Sequence, residues 1–226
     1  MKKYIITVSL VLPVIFISLL ILNFTAPDKK NYESGKGEIH NKVTSGFEKE
    51  KHSCCSSEED AEEFSDNSIY QLNSVWTDQQ GEKFSLSLLK GKPVVLTMFF
   101  ASCTYACPVL VNDMKRIESE IPKRDLPSYR FVLISIDPER DTPQKLARYA
   151  EVKNLDTKRW TLLTGNPDDI MELAALIGFK YKKNSNGDFS HSNLITFLDS
   201  NGEIIHQQIG LNQDISESAK ILLAQN

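Results

Sequence analysis

The stretch FFASCTYACPVL, Phe99 to Leu110, places Cys103 and Cys107 four positions apart, directly behind an unbroken apolar run. Two thiols so spaced can close a local disulfide, cycle as a redox dithiol, or clamp a soft metal ion. Spacing alone leaves all three open. A purely structural disulfide is the least favoured, because closing so short a loop removes little entropy from the unfolded chain. The flanking residues say more. PVVLTMFF is apolar on both faces, as a central covered strand would be. After the cysteines, Val109, Val111, Met114, Ile117 and Ile121 recur at roughly helical spacing until Pro122. Both cysteines are thus expected at the start of a helix, where unpaired N–H groups favour thiolate and an i, i+4 spacing turns the two sulfurs the same way.

The elements that must position this pair alternate along the chain. A small hairpin is expected around Asp78-Gln79-Gln80-Gly81, ahead of the core strand. YRFVLISID reads as a strand and DTPQKLARYAEVKN as a helix that Asp141 or Thr142 can cap. RWTLLTG is another strand, and PDDIMELAALIG a helix with Ile170, Leu173, Ala174 and Ile177 on one face. SHSNLITFLDSNGEIIHQQIG predicts a hairpin turning at Ser200-Asn201-Gly202, followed by a short C-terminal helix. The fold class is therefore α/β: a central mixed sheet flanked by helices, in the order of a thioredoxin-like domain over residues 69–226. A thioredoxin-type oxidoreductase of the familiar kind has two residues between its cysteines and a cis-proline just before the closing hairpin. This chain has three residues there, no proline after Pro167, and Ser190-His191-Ser192 ahead of the hairpin. That topology brings an imidazole to the dithiol. Two thiolates and one imidazole form a soft three-donor set that suits copper.

FFASCTYACP, VLISIDPERDTP and SHSNLITFLDSNG, in that order, resemble the Sco/SenC family of membrane-anchored copper-binding proteins, which assist assembly of the dinuclear copper centre (CuA) of cytochrome c oxidase. The resemblance spans about Ile69 to Leu223. It implies that Cys103, Cys107 and His191 are ligands for Cu(I) or Cu(II), that Asp137 of the S-x-D-P motif lies near the metal, and that the partner is the copper-binding subunit of the oxidase. Two departures stand out: Thr104-Tyr105 where many relatives have Pro-Asp, and Ser190 where an Asp often precedes the histidine. Thiolates hold Cu(I), and the harder imidazole, with a carboxylate nearby, extends the range to Cu(II). The same dithiol could act as a thiol-disulfide reductase on cysteines of an oxidase subunit or another extracytoplasmic protein, a chemistry that does not require His191.

The opening MKKYIITVSLVLPVIFISLLILNF carries Lys2 and Lys3 and then no charge until Asp28. A run of that length predicts a single-pass anchor over residues 1–27 in the cytoplasmic membrane, with the lysines inside and the C-terminal domain extracytoplasmic. A cleaved signal peptide is the competing reading. Residues 28–68 hold eleven Asp and Glu against six Lys and few large apolar side chains, the composition of a flexible acidic tether. The overall charge of −4 gives no basic surface for nucleic acid. Within the tether, His52, Cys54 and Cys55 repeat the imidazole-and-two-thiols set and are a candidate second, weaker soft-metal site. His206 is expected on the surface, His40 in the tether, and Trp76 and Trp160 in core or rim packing.

Overall fold

In the computed structural model, which describes residues 64–225, the buried run after Pro93 is strand β3 (Val94–Phe99) with all of its residues buried. Its polar member is satisfied: the Thr97 hydroxyl donates to the Leu194 carbonyl at 2.6 Å, as a buried hydroxyl in such a strand must. Around β3 stand β1 (Trp76–Asp78), β2 (Lys83–Phe84), β4 (Arg130–Ser135), β5 (Trp160–Thr164), β8 (Leu194–Leu198) and β9 (Ile204–Ile209), in the order β2-β1-β5-β4-β3-β8-β9. β3, β4 and β5 are mutually parallel, and β1 and β8 pair with them antiparallel. Helices α1 (Ala106–Glu120), α2 (Pro143–Val152), α3 (Pro167–Leu176) and α4 (Ser216–Leu223) flank this sheet.

The helix boundaries follow the expected chemistry. Thr142 caps α2 by accepting from the Lys145 N–H at 3.3 Å, with Pro143 in the first turn. Asn166 caps α3 in the same way at 2.9 Å, and Asp168 and Asp169 place negative charge at its N-terminus. In α1 the buried stripe is Cys107, Leu110, Val111, Met114 and Ile117, so Leu110 rather than Val109 faces the sheet. Trp76 and Trp160 are fully buried, Trp160 stacked on Phe131 at 4.8 Å between ring centroids.

Three features depart from the sequence reading. Phe64–Ser68, assigned by composition to the tether, pack on the domain: Phe64 lies edge-on to Tyr70, Ser65 bonds Glu203, and buried Ser68 donates to the Asn201 carbonyl. A two-stranded ribbon of β6 (Tyr181–Lys183) and β7 (Phe189–His191), separate from the main sheet, precedes the closing hairpin. Its strands have three residues each, too short for an alternation to stand out amid KKNSNGD. His206 is only part-exposed, hydrogen-bonded to the Ser218 hydroxyl at 3.0 Å. Among the described residues no helix is long and apolar enough to cross a membrane. The expected anchor over 1–27 and the tether up to residue 63 lie outside the described residues.

A Cβ added at Gly165, just past β5, would stand 2.6 Å from the buried Trp76 ring. Gly165→Ala is accordingly expected to destabilise the domain by roughly 1–3 kcal/mol, the usual cost of overpacking, read as a lower urea midpoint. An unchanged midpoint would show that Trp76 yields freely.

Candidate metal centre

Cys103 lies in the loop between β3 and α1, and Cys107 is the second residue of the helix, so only one of the two sits within α1 as expected. The helix lacks a side-chain oxygen cap at Tyr105. Instead, the Cys103 sulfur accepts the Cys107 N–H at 3.4 Å, using an N–H that the first helical turn leaves without a backbone partner. The loop is further tightened by the Cys103 N–H donating to the Phe100 carbonyl at 3.1 Å. Cys107 is fully buried, and Cys103 partly exposed.

His191 ends β7, and its Nε2 lies 3.6 Å from the Cys107 sulfur. Its Nδ1 is 2.8 Å from the Ser192 carbonyl oxygen. A carbonyl only accepts, so Nδ1 carries a proton, and Nε2 is the ring nitrogen that faces the thiols. The ring is stacked on Phe179 at 5.9 Å and edge-on to Phe100 at 5.8 Å, which fixes its plane. The two sulfurs and an imidazole nitrogen lie within 4.8 Å of one another, and no other trio of His, Cys, Asp or Glu among the described residues forms such a group.

The pair is chemically unequal. The Cys103 thiol is pulled down to about 4, first by the hydrogen bond from the Cys107 thiol and then by the Cys107 and Tyr105 N–H groups and the His191 ring, against a partial burial that opposes it. Cys107 is pushed up, because its proton is held by the Cys103 sulfur and because it is buried. At neutral pH the reduced pair is therefore a Cys103 thiolate bonded to a Cys107 thiol, and binding a metal through both sulfurs must expel the Cys107 proton. The rate of Cys103 alkylation by iodoacetamide, which follows the thiolate fraction, is expected to be flat across the neutral range and to fall only as the pH drops toward about 4. A rate that climbs through mildly alkaline pH would contradict this asymmetry.

Asp137 is buried but outside the trio: its carboxylate pairs with the Arg140 guanidinium. The carboxylate nearer the dithiol loop is Asp141, which accepts the Ala101 N–H at 2.8 Å. Read from the sequence, Asp141 was only a possible helix cap; its distance from Ala101 along the chain left no local signal for the contact. His52, Cys54 and Cys55 lie outside the described residues.

A family model described as SCO1/SenC matches residues 66–223. The chain belongs to the SCO1/SenC family. A SCO2-like protein of Rickettsia typhi is 32% identical over 57% of this chain and 64% of its own length. Across curated relatives of this kind, the chain spans 54% to 71% of the relative's length. Among solved structures, a SCO1/SenC family lipoprotein of Bacillus anthracis superposes with a TM-score of 0.62 at 26% identity, covering 69% of this chain and 95% of the other. ScoI of Bradyrhizobium japonicum, solved with copper bound, superposes at 0.59 and 25% identity over 68% and 97%. These likenesses place the SCO1/SenC domain in the thioredoxin-like class. The match begins at residue 66, in keeping with the packing of Phe64–Ser68. Tyr105 is 75% exposed at the entrance to α1, beside the partly exposed thiolate.

Proposed function

We infer that this chain is a copper carrier: tethered to the cytoplasmic membrane by residues 1–27, it holds one copper ion as cargo in its extracytoplasmic domain and delivers it for assembly of the CuA centre in the copper-binding subunit of cytochrome c oxidase. The observation that carries the reading is the trio of Cys103, Cys107 and His191 with donor atoms within 4.8 Å. Family membership, with copper bound in a relative of the same fold, supports the choice of metal. So does the donor set, since thiolates suit Cu(I) and a neutral imidazole extends the range to Cu(II). Three protein donors with two of them, Cys103 and His191, partly exposed allow an incoming thiol to take the ion by ligand exchange. The apolar run with Lys2 and Lys3 supports the membrane and its sidedness.

A second reading, thiol-disulfide reductase, is favoured by the inequality of the cysteines. The partly exposed Cys103 thiolate would attack a substrate disulfide and release one substrate thiolate. Cys107 would then pass its proton on, attack the Cys103 sulfur and release the second, so that two electrons leave the dithiol as it closes to a disulfide.

One strain series separates the two. Deleting the gene in its own host is expected to lower CuA-oxidase activity, and added copper or the wild-type chain should restore it. Normal oxidase activity in the deletion strain would overturn the assembly role. Full restoration by His191→Ala, with none by the Cys103→Ser/Cys107→Ser chain, would favour the reductase instead.

A further inference from the structure

The short segment Asp137–Asp141, between β4 and α2, holds the chain beside each half of the donor set, at Ala101 and at Gly187, while contributing no donor. Toward the cysteines it acts through Asp141, which is fully buried. One oxygen of that carboxylate accepts the Ala101 N–H at 2.8 Å and the Ser135 hydroxyl at 2.7 Å. The other is ion-paired with Lys145 at 2.9 Å, and the same ammonium donates to the Ser102 hydroxyl at 2.7 Å. Ala101 and Ser102 are the residues immediately before Cys103. A single buried, charge-compensated carboxylate thus fixes where the dithiol loop begins.

Toward the histidine the segment acts through Arg140. Its Nε donates to the buried Asp137 carboxylate, and another nitrogen of the same rigid fork donates to the Gly187 carbonyl at 2.6 Å. Gly187 lies in the turn joining β6 to β7, and His191 ends β7. An exposed pair, Lys183 with Glu139 at 2.6 Å, adds a weaker tie. The ribbon shares no ladder with the seven-stranded sheet. It is seated by these ties, by Phe189 against Phe100 at 5.4 Å, and by the stacking of His191 itself. The gap between thiols and imidazole is therefore spanned by one five-residue segment gripping a side each.

We propose that Asp137–Asp141 is a bracket that sets the separation of the donors, with Arg140 the positioning residue for His191 and Asp141 the positioning residue for Cys103. The inference deepens the copper reading and rests on it for its purpose, but its geometry is testable without metal. Arg140→Lys keeps a positive charge beside buried Asp137, sparing the fold the loss of a compensating partner. A lysine cannot, however, bridge Asp137 and Gly187 as the guanidinium fork does. Asp141→Asn keeps one acceptor oxygen and loses the ion pair with Lys145, with Lys145→Met as its companion variant.

Three quantities are measured on the extracytoplasmic chain: the thiol-disulfide equilibrium of the copper-free protein with glutathione, the tautomer of the His191 ring by nitrogen NMR, and the rate of Cu(II) release to a chelator. Arg140→Lys is expected to blur the single Nδ1–H tautomer and speed Cu(II) release about tenfold, with the glutathione equilibrium unmoved. Asp141→Asn and Lys145→Met are expected to leave the tautomer in place and shift that equilibrium about tenfold, equivalent to about 30 mV for a two-electron couple. The asparagine shift should run toward the more oxidising side, since a negative charge near the thiolate has gone. Changes in all three quantities together, tracking the loss of thermal stability, would reduce these residues to a structural role and overturn the proposal. So would an unchanged tautomer in Arg140→Lys. A tautomer change without altered Cu(II) release would leave the bracket standing and fault the copper reading alone.

Discussion

His191→Ala is expected to release Cu(II) more than about 100-fold faster than the wild-type chain while its dithiol still exchanges with glutathione. The floor on that figure comes from metal sites in which removing only the hydrogen-bond partner of a ligand costs about 10–100-fold in affinity; here the ligand itself is lost. The selectivity follows from donor softness. Two thiolates alone suffice for Cu(I), whereas Cu(II) draws on the imidazole nitrogen. The Nε2 atom stands 3.6 Å from the Cys107 sulfur, close enough to share an ion after a small adjustment of either side chain. Stopped-flow transfer to a chelator measures the release, and a redox titration in glutathione buffer measures the dithiol. Cu(II) release at the wild-type rate would remove His191 from the site. Loss of dithiol exchange with copper retention intact would reverse the functional assignment in favour of the reductase.

The second large effect concerns stoichiometry. The full reduced chain is expected to take up two equivalents of Cu(I), and the Cys54→Ser/Cys55→Ser chain about one, because His52, Cys54 and Cys55 offer the donor types that suit the main site. Adjacent cysteines close to each other only through a strained ring, and exposed thiols do not persist in an oxidising compartment by default. A metal-loading role gives this pair a reason to be reduced. If the tether motif passes its ion inward, the serine variant should also load Cys103 and Cys107 more slowly at limiting copper. Equal stoichiometry and equal loading rates in the two chains would reject the second site.

Much of the frame was legible because its signals are local. The covered strand β3, the helix capped at Thr142, the one-faced helix from Pro167, and the hairpin turn near Gly202 each follow from a pattern within a dozen residues. The trio was legible for a different reason: alternating strands and helices fix which segments share an end of the sheet, and the dithiol follows β3 while His191 comes just before the closing hairpin. The positioning network was not. Asp141 acts on Ala101, Lys145 on Ser102, Arg140 on Gly187, and Asp113 on the Asn212 N–H at 2.9 Å. Each contact joins a charged residue to backbone or hydroxyl groups with no sequence signature of their own. The β6–β7 ribbon escaped because its two short strands bury little, and composition placed Phe64–Ser68 outside the domain because their anchoring groups are a lone aromatic ring and two serines.

The central claim is that Cys103, Cys107 and His191 hold copper together. Its most direct test is copper K-edge X-ray absorption on the Cys54→Ser/Cys55→Ser chain loaded with one equivalent of Cu(I), which isolates the site in the folded domain. The account predicts a first shell of two sulfurs and one imidazole nitrogen, and no retained copper when Cys103 and Cys107 are also replaced by serine. A shell of oxygen and nitrogen only, or equal copper retention in the two chains, would contradict it.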